Sequence, residues 1–91
     1  APAEASLLRV VSPAFAVSAI KRAEDGDGVI VRLYNISDGE AHTAVDLEPL
    51  PGPVALVNLN EEHLADVPRV GGEVLLTART NQIITLRFRW E

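Results

Sequence analysis

Apolar and polar residues alternate with a period of two along most of this chain. Near the end, Ile84, Leu86, Phe88 and Trp90 are separated by Thr85, Arg87 and Arg89. Successive side chains of an extended strand point to opposite faces, so this alternation marks a half-buried strand. It puts Ile84, Leu86 and Phe88 on one buried face and sends Arg87 and Arg89 to solvent or to an interface. Val29, Val31 and Leu33 alternate with Ile30, Arg32 and Tyr34, which gives a second strand with one mixed face. Thr43, Val45 and Leu47 alternate with Ala44, Asp46 and Glu48 as a third. Residues 54–59 and 73–78 form short, nearly continuous apolar runs, and 7–11 and 15–20 supply two more, divided at Ser12-Pro13. Proline cannot donate a ladder hydrogen bond, so Pro13 marks a strand end or an edge.

Turn residues fall between these runs. They are Asp25-Gly-Asp-Gly28, Ser37-Asp-Gly39, residues 49–53 with three prolines and a glycine, and Gly71-Gly72. An Asp-Gly pair between alternating apolar runs is a strong hairpin signal, because glycine takes positive φ freely and aspartate bonds its own backbone. At least one of Gly26 and Gly28 is expected at positive φ. Strands at this spacing predict an all-β fold, an antiparallel β-sandwich of about seven to eight strands, immunoglobulin-like in general architecture. Residues 60–67 begin with a possible helix cap and two acids, but Pro68 stops them. They are expected to form at most one helical turn or an irregular strand.

Ninety-one residues make one domain, 1–91, with residues 1–6 resembling the remnant of a connection. There is no cysteine, so no disulfide framework or thiolate metal site exists, and the redox compartment stays open. No apolar run approaches the ~20 residues of a spanning helix, and the start lacks the basic and apolar regions of a secretory signal. The formal net charge of −5, with no basic stripe, argues against a nucleic-acid partner.

Glu24, Asp25 and Asp27 cluster in one turn. Calcium needs several oxygen ligands at set positions, and the residues after Gly28 offer none, so the ligand count favours a polar hairpin turn without metal. His42 sits on a strand and faces solvent, and His63 lies in a loop or turn. A catalytic zinc site takes three protein ligands, and nothing makes these two histidines converge. Paired carboxylates can hydrolyse glycosides, but none here sits in the apolar, aromatic-lined setting that raises a pKa. Trp90, Phe88, Phe15 and Tyr34 read as core or interface rather than a sugar-stacking platform. No nucleophile elbow and no phosphate loop occurs. Asn35-Ile-Ser37 fits the glycosylation sequon and reads as turn chemistry.

Three segments carry a resemblance to a known family. The first is Ser18-Ala-Ile-Lys21 with Ala23-Glu-Asp-Gly-Asp-Gly28 and Val29-Ile-Val-Arg-Leu-Tyr34. The second is Val57-Asn-Leu-Asn-Glu-Glu62, and the third is Gln82-Ile-Ile-Thr-Leu-Arg87. Together they resemble the small C-terminal β-sandwich of family 38 glycoside hydrolases, the α-mannosidases, over most of the chain. The chain departs from that family at Asn81, where an aromatic is often found. The resemblance implies a C-terminal piece of a larger enzyme. Its retaining carboxylate chemistry and its zinc ion belong to a separate catalytic domain. It therefore assigns no catalytic, cofactor-binding or metal residue to this chain, and no enzyme activity to the chain alone. It implies other domains of the enzyme as partners, with neither nucleic acid nor membrane, and a scaffolding role. Beside the turn acids, Lys21 is expected to pin the hairpin by charge-assisted hydrogen bonds. The alternative is an independent carbohydrate-binding or structural sandwich, and the scarcity of aromatics argues against the binding module.

Overall fold

The computed structural model describes residues 7–48, 50 and 52–90. Residues 1–6, read above as a connection remnant, lie outside the described residues. The described residues form nine strands: β1 (Leu7–Val10), β2 (Phe15–Arg22), β3 (Val29–Asn35), β4 (Ala41–Glu48), β5 (Val54–Val57), β6 (His63–Val67), β7 (Arg69–Val70), β8 (Glu73–Ala78) and β9 (Ile83–Phe88). They form two antiparallel sheets, one of four strands in the order β1-β4-β8-β7 and one of five in the order β2-β3-β9-β5-β6. Each of the seven runs predicted from alternation contains a strand. The excess over seven or eight comes from β6 and β7. β6 occupies the segment expected as a helical turn or an irregular strand. It is a strand with a shifted register against β5, between Leu56 and Val57, and it begins at His63 rather than leaving that residue in a loop.

The core lies between the sheets. Val31, Leu33, Val45, Val74, Leu86 and Phe88 have no exposed surface, and Leu47, Leu50 and Val54 have almost none. These are the inward positions of the period-two patterns. On β4, Thr43, Val45 and Leu47 are buried, while Ala44 and Asp46 are half-buried and His42 and Glu48 exposed. Register confirms the facing, since Val31 pairs with Leu86 and Val54 with Phe88.

Two polar side chains hold corners where the chain passes between sheets. Asn35, at the end of β3, is fully buried. Its amide donates to the carbonyls of Gly39 (2.8 Å) and Ala78 (2.9 Å), and its side-chain oxygen accepts from the Ser37 N–H (2.8 Å) and hydroxyl (2.6 Å). Every hydrogen-bonding group of the side chain is used, so its burial leaves nothing unsatisfied. At the other end of the sandwich Arg69 donates to the carbonyls of Leu50, Gly52 and Gly72 and pairs with Asp46 at 3.2 Å. Its guanidinium also lies 5.8 Å from the centre of the Phe88 ring. It thus ties the turn before β5 to both sheets, using the planar donor fork that lysine lacks.

Gly26 (φ +81°) and Gly28 (φ +98°) both take the positive φ expected of the β2–β3 turn. Their surroundings differ. A Cβ on Gly26 would meet nothing within 4 Å, whereas one on Gly28 would fall 2.2 Å from the Phe88 carbonyl oxygen on β9. Gly28→Ala therefore combines left-handed strain with a backbone clash and should cost on the order of 2–4 kcal/mol. Gly26→Ala should cost about 1–2 kcal/mol from strain alone. Urea unfolding of the two variants checks this, with the order of their midpoints as the deciding result.

Candidate functional site

Six charged residues gather on the outer face of the five-stranded sheet. The inward residues of β9 fix Arg87 on that face, opposite Ile30 of β3 and Ala55 of β5. Arg87 is only 6 % exposed, so the expectation that it reaches solvent or an interface is overturned. It is buried because two loops fold over this face. One is the 23–28 turn, and the other is the 58–62 connection between β5 and β6. Beneath them lies a second apolar cluster of Ala23, Ile30, Ala55 and Val57.

A buried guanidinium must be paired. Arg87 donates from Nη1 to Asp25 Oδ2 at 2.9 Å and from Nη2 to the Glu61 carbonyl at 3.4 Å, with Glu61 Oε1 at 3.8 Å. Glu61 accepts from the Glu24 N–H at 2.9 Å, and its other oxygen lies 3.1 Å from Lys21 Nζ. Arg89, half-buried, places Nε 3.4 Å from Asp27 Oδ2. Three cations thus meet three carboxylates. Lys21 reaches Glu61 rather than the turn acids, which corrects its expected role. Of the turn acids, Asp25 is taken by Arg87 on β9 and Asp27 by Arg89 just beyond its end. Glu61 adopts φ +65°, an uncommon conformation for a non-glycine residue, and the 58–62 loop turns back toward the sheet there. The Asn58 side-chain oxygen accepts from the N–H groups of Asn60 and Glu62 and braces that loop.

Both carboxyls that shift do so downward. Asp25 is held below its ordinary 3.8, first by the Asp27 N–H and then by the Arg87 guanidinium, against an opposing effect of burial. Glu61 is held below its ordinary 4.5 by the Glu24 N–H and then by Lys21, while desolvation again pulls the other way. A general acid needs the reverse shift. Arg87 also occupies the space between these two carboxyls, where a glycosidase would hold the scissile bond.

The remaining candidates do not join this cluster. His42 is on β4 of the other sheet, faces solvent as expected, and lies 2.8 Å from Thr77 Oγ1. His63 lies 2.8 Å from Asp66. The two stand in different sheets and do not fit a shared zinc site. Among the described residues no group of three or more His, Asp or Glu is placed to hold a metal ion. Asn35 of the sequon is spent on its corner, so a glycan there is incompatible with this fold. Phe88 and Phe15 are core residues and Tyr34 is half-buried, whereas Trp90 is 37 % exposed.

The three segments that carried the resemblance therefore meet at one place, through Asp25, Glu61 and Arg87. The family model for the glycosyl hydrolases family 38 C-terminal beta sandwich domain matches residues 14–86. The chain belongs to this family. No curated protein and no solved structure matches the chain. In the family 38 sandwich the matched stretch runs from the entry to β2 into β9, and so contains every residue of the charged cluster except Arg87 and Arg89, which follow at once.

The depressed carboxyls give a pH dependence. A carboxyl whose folded pKa lies below its unfolded one contributes stability above the unfolded value and loses it as pH falls through the folded value. The cluster should stabilise the sandwich fully above roughly pH 5 and stop doing so in the acid range below the two ordinary values. Thermal unfolding of Glu61→Gln and Asp25→Asn against the parent chain tests this. Each variant should be less stable at pH 7, and the gap should narrow as the pH drops below 4.

Proposed function

We propose that this chain is a non-catalytic C-terminal sandwich of an α-mannosidase-like glycoside hydrolase and serves as a scaffold for neighbouring domains. The observation that carries this reading is that three acids of the resembling segments are neutralised by nearby cations. Asp25, Asp27 and Glu61 are paired with Arg87, Arg89 and Lys21 to hold two loops on a sheet. Carboxylates used this way are unavailable as a nucleophile or as a proton donor. Zinc, where the enzyme uses it, would be held by the catalytic domain, since the two histidines here lie in separate sheets. The contribution of the sandwich is then mechanical. It presents a rigid surface, and interfaces between domains of one chain bury roughly 600–1,500 Å².

The purified 91-residue chain should release no product from an aryl α-mannoside, with or without added zinc. Turnover that survives repurification and disappears with Asp25→Asn or Glu61→Gln would overturn the reading. Removal of the sandwich from the longer polypeptide should lower its stability or solubility, and activity should fall only in proportion to the material that misfolds.

A further inference from the structure

An aspartate followed by glycine can rearrange, because glycine has no Cβ to shield its amide nitrogen or to restrict the rotation that brings that nitrogen onto the carboxyl. The chain has three such steps, Asp25-Gly26, Asp27-Gly28 and Asp38-Gly39. The fold treats them unequally. At the first, both reacting groups are held. The Asp25 carboxylate accepts from the Asp27 N–H and from Arg87 Nη1, each at 2.9 Å, and the Gly26 N–H donates to the Ala23 carbonyl at 2.9 Å. The neutral acid is the form that loses water, and the lowered pKa of Asp25 makes that form scarcer. At the second, Asp27 lies against Arg89, and Gly28 is buried beneath the β9 backbone, so the peptide between them has no room to turn. The third lies in the connection from β3 to β4, and both of its residues are exposed. Among the described residues, the Asp38 carboxylate takes part in no hydrogen bond or ion pair, and the Gly39 N–H has no acceptor.

We infer that Asp38-Gly39 is a site of spontaneous isoaspartate formation, and that the change undoes the buried Asn35 corner. The Gly39 nitrogen attacks Asp38 Cγ. An N–Cγ bond forms, the amide proton passes to solvent, and a carboxyl oxygen departs as water to leave a succinimide. A second water then opens the ring. Attack at the main-chain carbonyl of Asp38 breaks its bond to the Gly39 nitrogen and leaves the peptide running through Cγ, whereas attack at Cγ restores aspartate. One water leaves and one returns, and nothing is oxidised or reduced. The isoaspartyl chain carries an extra backbone methylene immediately before Gly39. The carbonyl of that glycine accepts from Asn35 Nδ2 at 2.8 Å and from Ser37 Oγ at 3.0 Å. Asn35 is fully buried, and its amide also holds the Ala78 carbonyl at the end of β8. Displacement of the Gly39 carbonyl leaves a buried N–H without its partner, so a change at an exposed turn reaches the interior.

The 91-residue chain is incubated for weeks at neutral pH and body temperature, then digested with a protease that cuts before aspartate but not before isoaspartate. Isoaspartate should accumulate at position 38 roughly tenfold faster than at 25 or 27, and in urea, where the fold no longer separates the three steps, the rates should draw together. Equal rates in the folded chain, or faster reaction at 25 or 27, overturn the inference. Gly39→Ala keeps the fold, since Gly39 is not at positive φ and a Cβ there meets nothing within 4 Å. It should melt with the parent chain and slow the rearrangement at 38 by about tenfold, because the added methyl shields the nitrogen. The isoaspartyl fraction of the aged parent, separated by chromatography, should melt roughly 5–10 °C below the fresh chain, and aged Gly39→Ala should show no such loss. Isoaspartate at 38 with an unchanged melting temperature overturns the link to Asn35.

Discussion

Much of the sandwich is arranged around one arginine in an unfavourable place. Arg87 lies on β9, the third of five strands, with β3 on one side and β5 on the other. Period-two geometry leaves no choice of face once Leu86 and Phe88 enter the core. The outer face at that position is not open to water, because Ile30, Ala55 and Val57 are themselves covered. Burying an ion without a partner costs several kcal/mol, so the fold must bring acids to it. It does so with two loops from separate hairpins, 23–28 and 58–62. The geometry of each loop follows from that demand: Gly28 lets the first pass within contact of the β9 backbone, and Glu61 accepts a strained φ to place both its carbonyl and its carboxylate near the guanidinium.

This arrangement explains why some of the molecule is legible in the sequence and some is not. Alternation is a local property, so the inward residues of β3, β4 and β9 could be read directly from spacing. The β2–β3 turn was equally plain, because Asp25 bonds the Asp27 N–H two residues on and both glycines have positive φ. The same alternation failed for Arg87. It identifies which residues share a face, and it cannot tell whether loops from elsewhere in the chain cover that face. Asp25 and Arg87 are 62 positions apart, and no spacing rule joins them. Lys21 was misassigned for the same reason. Proximity in sequence favoured the turn acids, whereas the fold supplied a nearer one from the β5–β6 loop.

β6 and Arg69 were obscured by different causes. Residues 60–62 look like the acidic first turn of a helix, and short segments carry too little propensity to decide between helix and strand. The edge of β5 decided it, since an unpaired ladder was available and Pro68 ended any helix after one turn. Arg69 stands beside Pro68 in an otherwise ordinary polar stretch, and nothing local announces that it will bind three carbonyls and a ring. Its role exists only because the chain crosses from β6 to β7 at that point and meets the carbonyls of Leu50 and Gly52.

The two loops divide the outer face of the five-stranded sheet into a sealed half and a bare one. In the sealed half Asp25, Asp27 and Glu61 are paired with Arg87, Arg89 and Lys21, while Glu24 and Glu62 stay exposed on the same loops. Its value lies in rigidity, for the loops cannot shift without uncovering Arg87. Beyond it Leu59 and Ile83 are exposed, and the sealed half holds Leu59 in a fixed position, because the loop that carries Leu59 is the loop that Glu61 anchors. The ion cluster therefore sets more than its own charges: loss of Glu61 would free the 58–62 loop, and with it the position of Leu59.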